Sequence, residues 1–269
     1  MTEKILNRDG DCKAISPSAY LNQAIAATIP DLAVPLRRHK THWPICYDSA
    51  IAFKLAALQS QPPCVVAEQI VSSLPIDRDL WQVQVMPSSL IRFECSEAEL
   101  AAWLQQLLQQ TSCIFASALS TSAKPTRSRP PSEQIFRVQY MHARCCTLLQ
   151  SAAREGWLVS PAGAPLQIPW LTASGQLRLQ HSVERKAIGL LFDSVDAIDA
   201  RQWTTASLWK QASELSQSLD TFQAVCRVWG EVKANDLPLA QARLGLTWAG
   251  QQLLQVLLAR LGIDAPIAL

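Results

Sequence analysis

Glycine is scarce in this chain, nine of 269 residues, and the nine build neither a GxGxxG nor a Walker pattern. The backbone cradle that holds nucleotide phosphates is therefore not encoded. GxSxG and HExxH are absent too, which removes the common hydrolase and metalloprotease signatures. Eight cysteines contain no CxxC pair, and His39, His42, His142 and His181 add no zinc-ligand spacing to them. No metal and no cofactor is expected. The thiols are expected to be reduced and mostly buried, as in a cytosol-like compartment. No apolar run approaches the roughly 18 residues of a membrane helix, and MTEKILNRDGDCK lacks the apolar core of a secretory signal. The expected location is cytoplasmic. An excess of one charge is also missing: 24 Lys and Arg face 22 Asp and Glu, a net of +2. A generic polycation that binds nucleic acid or membranes by charge alone is excluded, although a local basic patch is not.

What the chain does have is apolar bulk, 49% of residues, and nine tryptophans, enough to bury a sizeable core. Its composition breaks once. Residues 111–132, TSCIFASALSTSAKPTRSRPPS, are rich in Ser, Thr and Pro and carry Lys124, Arg127 and Arg129 as their only charges. This reads as a linker between residues 1–110 (net −2) and residues 133–269 (net +1).

The first part reads as a small α+β domain. Helices are expected at 17–29, at 47–59 with Asp48 or Ser49 in the first turn, and at 64–74, ended by Pro75. The period then changes to two: WQVQVM and LIRFEC, separated by Pro87-Ser88-Ser89, predict a β-hairpin. Ser96 with Glu99 forms a capping box that opens a helix over 97–109. The second part reads as an all-α bundle. A helix opens at Ser132 and closes at Gly156, and Val138, Met141, Cys145, Leu148 and Ala152 form its apolar stripe. Further helices are expected at 182–198, 203–219 and 237–261, the last with Pro238 in its first turn and Gly262 beyond its end. Residues 176–181 carry a weak strand signal.

On the helix after Ser132, Arg137, Tyr140 and Arg144 fall at i, i+3 and i+7 and share a face. An aromatic ring between two guanidiniums suits an unpaired base and its phosphates. An amphipathic helix with solvated arginines gives the same pattern. His142 beside Cys145 and Cys146 offers a base and a nucleophile in name, but spacings of three and four within an apolar stripe more simply make core thiols.

The string Phe136-Arg137-Val138-Gln139-Tyr140-Met141-His142-Ala143-Arg144 resembles the VQYAHAR start of the anticodon-binding domain of arginyl-tRNA synthetases, a helical bundle of the DALR type. Downstream, Leu208 to Leu215, then Phe222 and Cys226-Arg227-Val228, are similar to that family's YLYELAQAFNRFYEHCRV segment. Ala242-Arg243-Leu244-Gly245-Leu246 and Leu261-Gly262-Ile263-Asp264-Ala265-Pro266 are similar to its ARLALVRA and LLGIEAPERM ending. The first part resembles the additional N-terminal domain of the same enzymes. Asp48-Ser49-Ala50-Ile51-Ala52, Val66 to Val71, and Met86-Pro87-Ser88-Ser89-Leu90-Ile91-Arg92-Phe93 carry that match. Where the family has Asn in GFINF this chain has Arg92, a side chain that could meet a phosphate. The family's catalytic domain lies between these two parts, and its HxGH and KMSK signatures are found nowhere here.

The resemblance thus implies a synthetase-like chain without the catalytic domain, not an enzyme, that binds tRNA or another structured RNA. The implied RNA-binding residues are Gln139, Tyr140, His142 and Arg144, to which helical geometry adds Arg137. The alternative is a protein-interaction or assembly factor that reuses the bundle as a scaffold, which the many aromatics and weak net charge favour.

Overall fold

The computed structural model describes residues 16–30, 32, 36–40, 43–109, 132–157, 166–199 and 204–269. Most of the expected linker, residues 110–131, lies outside them, as do Cys12, His42 and Cys113.

The first part is a four-stranded antiparallel sheet with helices. α1 (Pro17–Thr28) starts where the Ser16 hydroxyl accepts from the Ala19 amide and Pro17 occupies the first turn. β1 (Leu36–Arg38) and β2 (Cys46–Ser49) follow, then α2 (Ile51–Gln59) and α3 (Pro63–Ser73). The hairpin falls where the alternation places it, in β3 (Trp81–Val85) and β4 (Ile91–Cys95), with Trp81 opposite Cys95 and Val85 opposite Ile91. Sheet order is β1-β2-β4-β3. Ser96 accepts from the Glu99 amide to open α4 (Glu97–Gln109). One expectation is corrected: residues 46–49 form a fully buried strand, and the helix begins only at Ile51. Asp48 therefore caps nothing. It lies in the sheet opposite Arg92, and cross-strand pairing decided a segment whose local signals favoured a helix.

The second part is helical: α5 (Ser132–Arg154), α6 (Ser182–Asp199), α7 (Thr205–Val225), the short α8 (Glu231–Asn235) and α9 (Leu237–Arg260). α7 starts two residues later than the spacing predicts, because Thr204 and Ser207 exchange side-chain and backbone hydrogen bonds as a capping box, and it ends six residues later, where the Cys226 amide closes on the Phe222 carbonyl. The weak strand signal near 176 is an isolated bridge between Leu171 and Leu177.

The two parts share one hydrophobic core. A continuous cluster runs from Leu21, Ile51 and Phe93 through Leu104 and Leu107 to Phe192, Leu215 and Leu257. The Trp103 and Phe192 rings meet across α4 and α6 with centroids 3.9 Å apart. Polar groups fasten the same boundary. Asp196 on α6 accepts from the Tyr47 hydroxyl (2.6 Å), the Ser16 hydroxyl (2.9 Å) and the Ser18 amide (3.1 Å). Burial still raises its pKa, against the pull of those donors. Arg38 on β1 grips Asp193 with two bonds of 2.7 and 2.6 Å. Gln105 on α4 takes the irregular segment at its side: its amide donates to the Leu166 carbonyl, and its oxygen accepts from the Ile168 amide and the Trp170 indole.

Candidate nucleic-acid interface

Helix α5 is positioned by its buried stripe. Ile135, Val138, Met141, Cys145 and Ala152 face inward, and α7 and α9 pack against the helix. Glu133 lies in the first turn and Arg154 in the last, which complements the helix dipole. The opposite face presents Phe136, Arg137 and Tyr140. Tyr140 is 49% exposed, and its ring lies nearly parallel to Phe136, 25° off, with centroids 6.1 Å apart. Beside them a groove of about 540 Å³ runs between α5 and α7 and reaches Met141, Ser213 and Asp220.

The groove's charges are unequally held. Arg137 pairs with Glu133 at 2.7 Å, but both side chains are about three-quarters exposed, 74% and 75%. Such a pair is worth only about 0.3–0.5 kcal/mol and releases its guanidinium easily. Arg144 reaches across to Asp220 on α7 at 3.1 Å. That carboxylate faces the same groove and would oppose a phosphate there.

Of the five residues singled out from the sequence, Arg137, Tyr140 and Arg144 project from one side of α5. Gln139 and His142 have other work. The Gln139 amide donates to the Asp264 carbonyl at 2.8 Å. His142 is 0% exposed, and its Nδ1 donates to the Pro266 carbonyl at 2.9 Å, which leaves Nε2 to accept from the Gln251 amide at 2.8 Å. Burial lowers the His142 pKa, with the Pro266 bond opposing, so the ring is the neutral tautomer this pattern needs. Both residues therefore hold the end of the chain against α5. Phe136 was missing from the site inferred from sequence, although its place four residues before Tyr140 is a spacing at which helical side chains meet. Asp220 left no local signal, since it joins the site only through α7.

Nucleophilic chemistry finds no support at His142. Burial pushes the Cys145 thiol up to about 12, with a hydrogen bond from Gln223 pulling the other way, and burial also raises Cys146. Neither thiol carries appreciable thiolate at neutral pH. Arg92 is likewise committed: Nε and Nη2 donate to the two oxygens of Asp48 at 2.9 and 3.0 Å, and His39 shares that carboxylate at 2.5 Å. Burial works to raise the Asp48 pKa, but the bonds from Arg92 and His39 outweigh it and hold the carboxyl below its usual range. Among the described residues there is no group of His, Cys, Asp or Glu that could hold a metal ion, and no helix long and apolar enough to cross a membrane.

Residues 138–269, just under half of the chain, match the DALR anticodon binding domain. The particular relatives are arginine–tRNA ligases. That of Symbiobacterium thermophilum is 31% identical over 132 residues, 49% of this chain and 22% of that protein. That of Gloeobacter violaceus is 32% identical over 161 residues, 56% of this chain and 26% of that protein. The chain thus spans about a quarter of the length of these relatives or less. No solved structure matches.

Proposed function

We propose that this chain is a non-catalytic RNA-binding protein of the cytoplasm, with tRNA its foremost ligand. The observation that carries the reading is the outer face of α5, where Tyr140 stacks beside Phe136 at the mouth of a groove lined by Arg137, with Arg144 reaching the groove's Asp220. A base stacked on that platform places its phosphates within reach of the guanidiniums. The match to a DALR anticodon binding domain supports the same ligand class. The part matched in the ligases is a minor share of their length, in keeping with binding rather than aminoacylation. Unpaired buried cysteines at 46, 95, 145, 146 and 226 support a reducing compartment.

Titration of labelled unfractionated tRNA against wild type, Tyr140→Ala and Arg144→Ala, at several salt concentrations, tests this. Tyr140→Ala removes a stacking platform worth roughly 1–3 kcal/mol, about tenfold or more in affinity, with the salt slope unchanged. Arg144→Ala lowers the slope of log K against log salt by about 0.7–0.9. Tyr140 is half-exposed, so its truncation leaves the fold intact, and thermal melts verify that. If both folded variants bind like wild type, or wild type binds no RNA at low salt, the RNA reading fails. The same bundle then stands as a scaffold for a protein partner, with Phe136 and Tyr140 as anchors.

A further inference from the structure

A second cleft, of about 410 Å³, opens where the sheet docks on α6 and α7. Four cations line it: Arg38 and Lys40 from the end of β1, and Arg185 and Lys186 from the start of α6. Two carboxylates line it as well, one tightly paired and the other only loosely. Asp193 is neutralised by the two bonds from Arg38, and Glu214 faces Lys210 one helical turn away at 3.9 Å. The exposed amines of Lys40 and Lys186 have no ion-pair partner among the described residues. Arg185 is braced rather than neutralised. It donates through Nη2 to Gln180 and lies 5.0 Å over the Trp43 ring, while its buried Nε has no hydrogen-bond partner.

The cleft also includes an unpartnered hydroxyl. Ser218 on α7 is 3% exposed and lines the cavity, yet its Oγ makes no hydrogen bond. Elsewhere in this fold, helical hydroxyls bond back one turn: Thr147 to Ala143, Ser194 to Leu190, Thr221 to Gln217 and Thr247 to Arg243, at 2.7–3.1 Å. A buried hydroxyl without that bond carries a desolvation cost that a ligand oxygen would relieve. Two free ammonium groups, a stacked guanidinium with an unused N–H and a neutral donor form the donor set that a tetrahedral oxyanion accepts.

We propose that this cleft binds a phosphate group. Gln217 lines both this cleft and the aromatic groove, so the two adjoin across α7. A strand whose base stacks on Tyr140 can cross α7 and set a backbone phosphate between Lys40 and Lys186. That strand form rests on the RNA reading above, whereas a free phosphate in the same cleft does not. The site exists only because the sheet packs directly on the bundle, for the segment just after β1 supplies Lys40.

The test uses Lys40→Gln combined with Lys186→Gln in the full chain. Both residues are exposed, so the variant keeps its melting temperature. One arm measures tRNA affinity against salt, and the other titrates inorganic pyrophosphate calorimetrically at low salt. If the strand supplies the phosphate, the variant's log–log salt slope falls by about 1.4–1.8, two contacts' share, while Tyr140→Ala leaves the slope alone. If a free anion is the ligand, wild type binds pyrophosphate and the variant loses at least tenfold. An unchanged slope together with no pyrophosphate binding by wild type overturns the proposal, even where the Tyr140 and Arg144 variants uphold RNA binding. Pyrophosphate binding by a wild type that takes no RNA refutes the RNA reading and leaves the phosphate site standing.

Discussion

Replacing Asp193 by Ala strikes the joint between sheet and bundle at its most committed polar contact. Arg38 and Asp193 are 8% and 15% exposed, and their two bonds measure 2.7 and 2.6 Å. Without the carboxylate, the guanidinium keeps one bond, from Nη1 to the His39 carbonyl at 3.0 Å. It cannot swing away easily, because Gly189 of α6 lies beneath it: a Cβ there would sit 3.4 Å from Nη1. Removing one partner of a buried pair leaves an uncompensated charge and costs about 3–5 kcal/mol, a large part of the ordinary 5–15 kcal/mol of a folded domain. At about 2–4 °C per kcal/mol for a chain of this size class, the melting temperature falls by about 6–20 °C. Urea and thermal unfolding, followed by far-UV circular dichroism and tryptophan fluorescence, give the number. The double variant Arg38→Met with Asp193→Leu removes both charges and regains most of the loss, since apolar replacement of a buried pair is close to neutral. A loss below about 0.5 kcal/mol for Asp193→Ala refutes the argument. So does a double variant as unstable as the single one.

Asp220→Asn strengthens tRNA binding and steepens its salt dependence, because it frees Arg144 and removes the anion facing the groove; weaker binding contradicts the proposed interface. Gly250→Ala on α9 destabilises by about 1–3 kcal/mol in urea melts, since the new Cβ would lie 2.6 and 2.7 Å from the two methyls of the fully buried Leu219; an unchanged midpoint shows that this packing yields freely. Burial raises the Glu99 pKa to about 7, with the Trp81 indole opposing, so the folded state holds a proton that the unfolded chain releases near 4.5. Stability from this group is therefore complete below about pH 4.5 and declines through pH 7, by about 3 kcal/mol at most. Glu99→Gln keeps the shape of the side chain without its charge, flattens that decline and stabilises the protein at pH 8; an unaltered pH profile refutes the assignment.

Features set by neighbours in the chain were legible in the sequence. The Ser96 half of the expected capping box, the hairpin around Pro87-Ser88-Ser89, the opening of α5 at Ser132 and that of α9 beside Pro238 all rest on contacts within a few residues, whereas the Ser96 amide bonds to the Leu80 carbonyl and not to the Glu99 side chain. Features set across long separations were not. Cys46 to Ser49 is a strand because Ile91 to Glu94 pairs with it, and the four preceding residues give no hint of that. The face shared by Arg137, Tyr140 and Arg144 followed from helical spacing alone. Gln139 and His142 entered the site by likeness to a motif, and their bonds to Asp264 and Pro266 connect residues about 125 apart. A break in composition between residues 110 and 133 spoke for two separate bodies, and nothing in either half announces Arg38 with Asp193 or Tyr47 with Asp196.

The common core also bears on the order in which the molecule can assemble during synthesis. α4 packs against α9, which lies far downstream in the chain, and the Ser16 hydroxyl meets its acceptor 180 positions later. A nascent chain that has just finished the hairpin and α4 therefore has no cover for Trp103, Leu104 and Leu107, all fully or nearly fully buried in the finished protein. At about 5–20 residues per second, the ribosome needs several more seconds to deliver α6 and longer still for α9. During that interval the early part is a sticky intermediate whose apolar side is open to chaperones or to other nascent copies. The later helices thus act as the lid that ends its exposure.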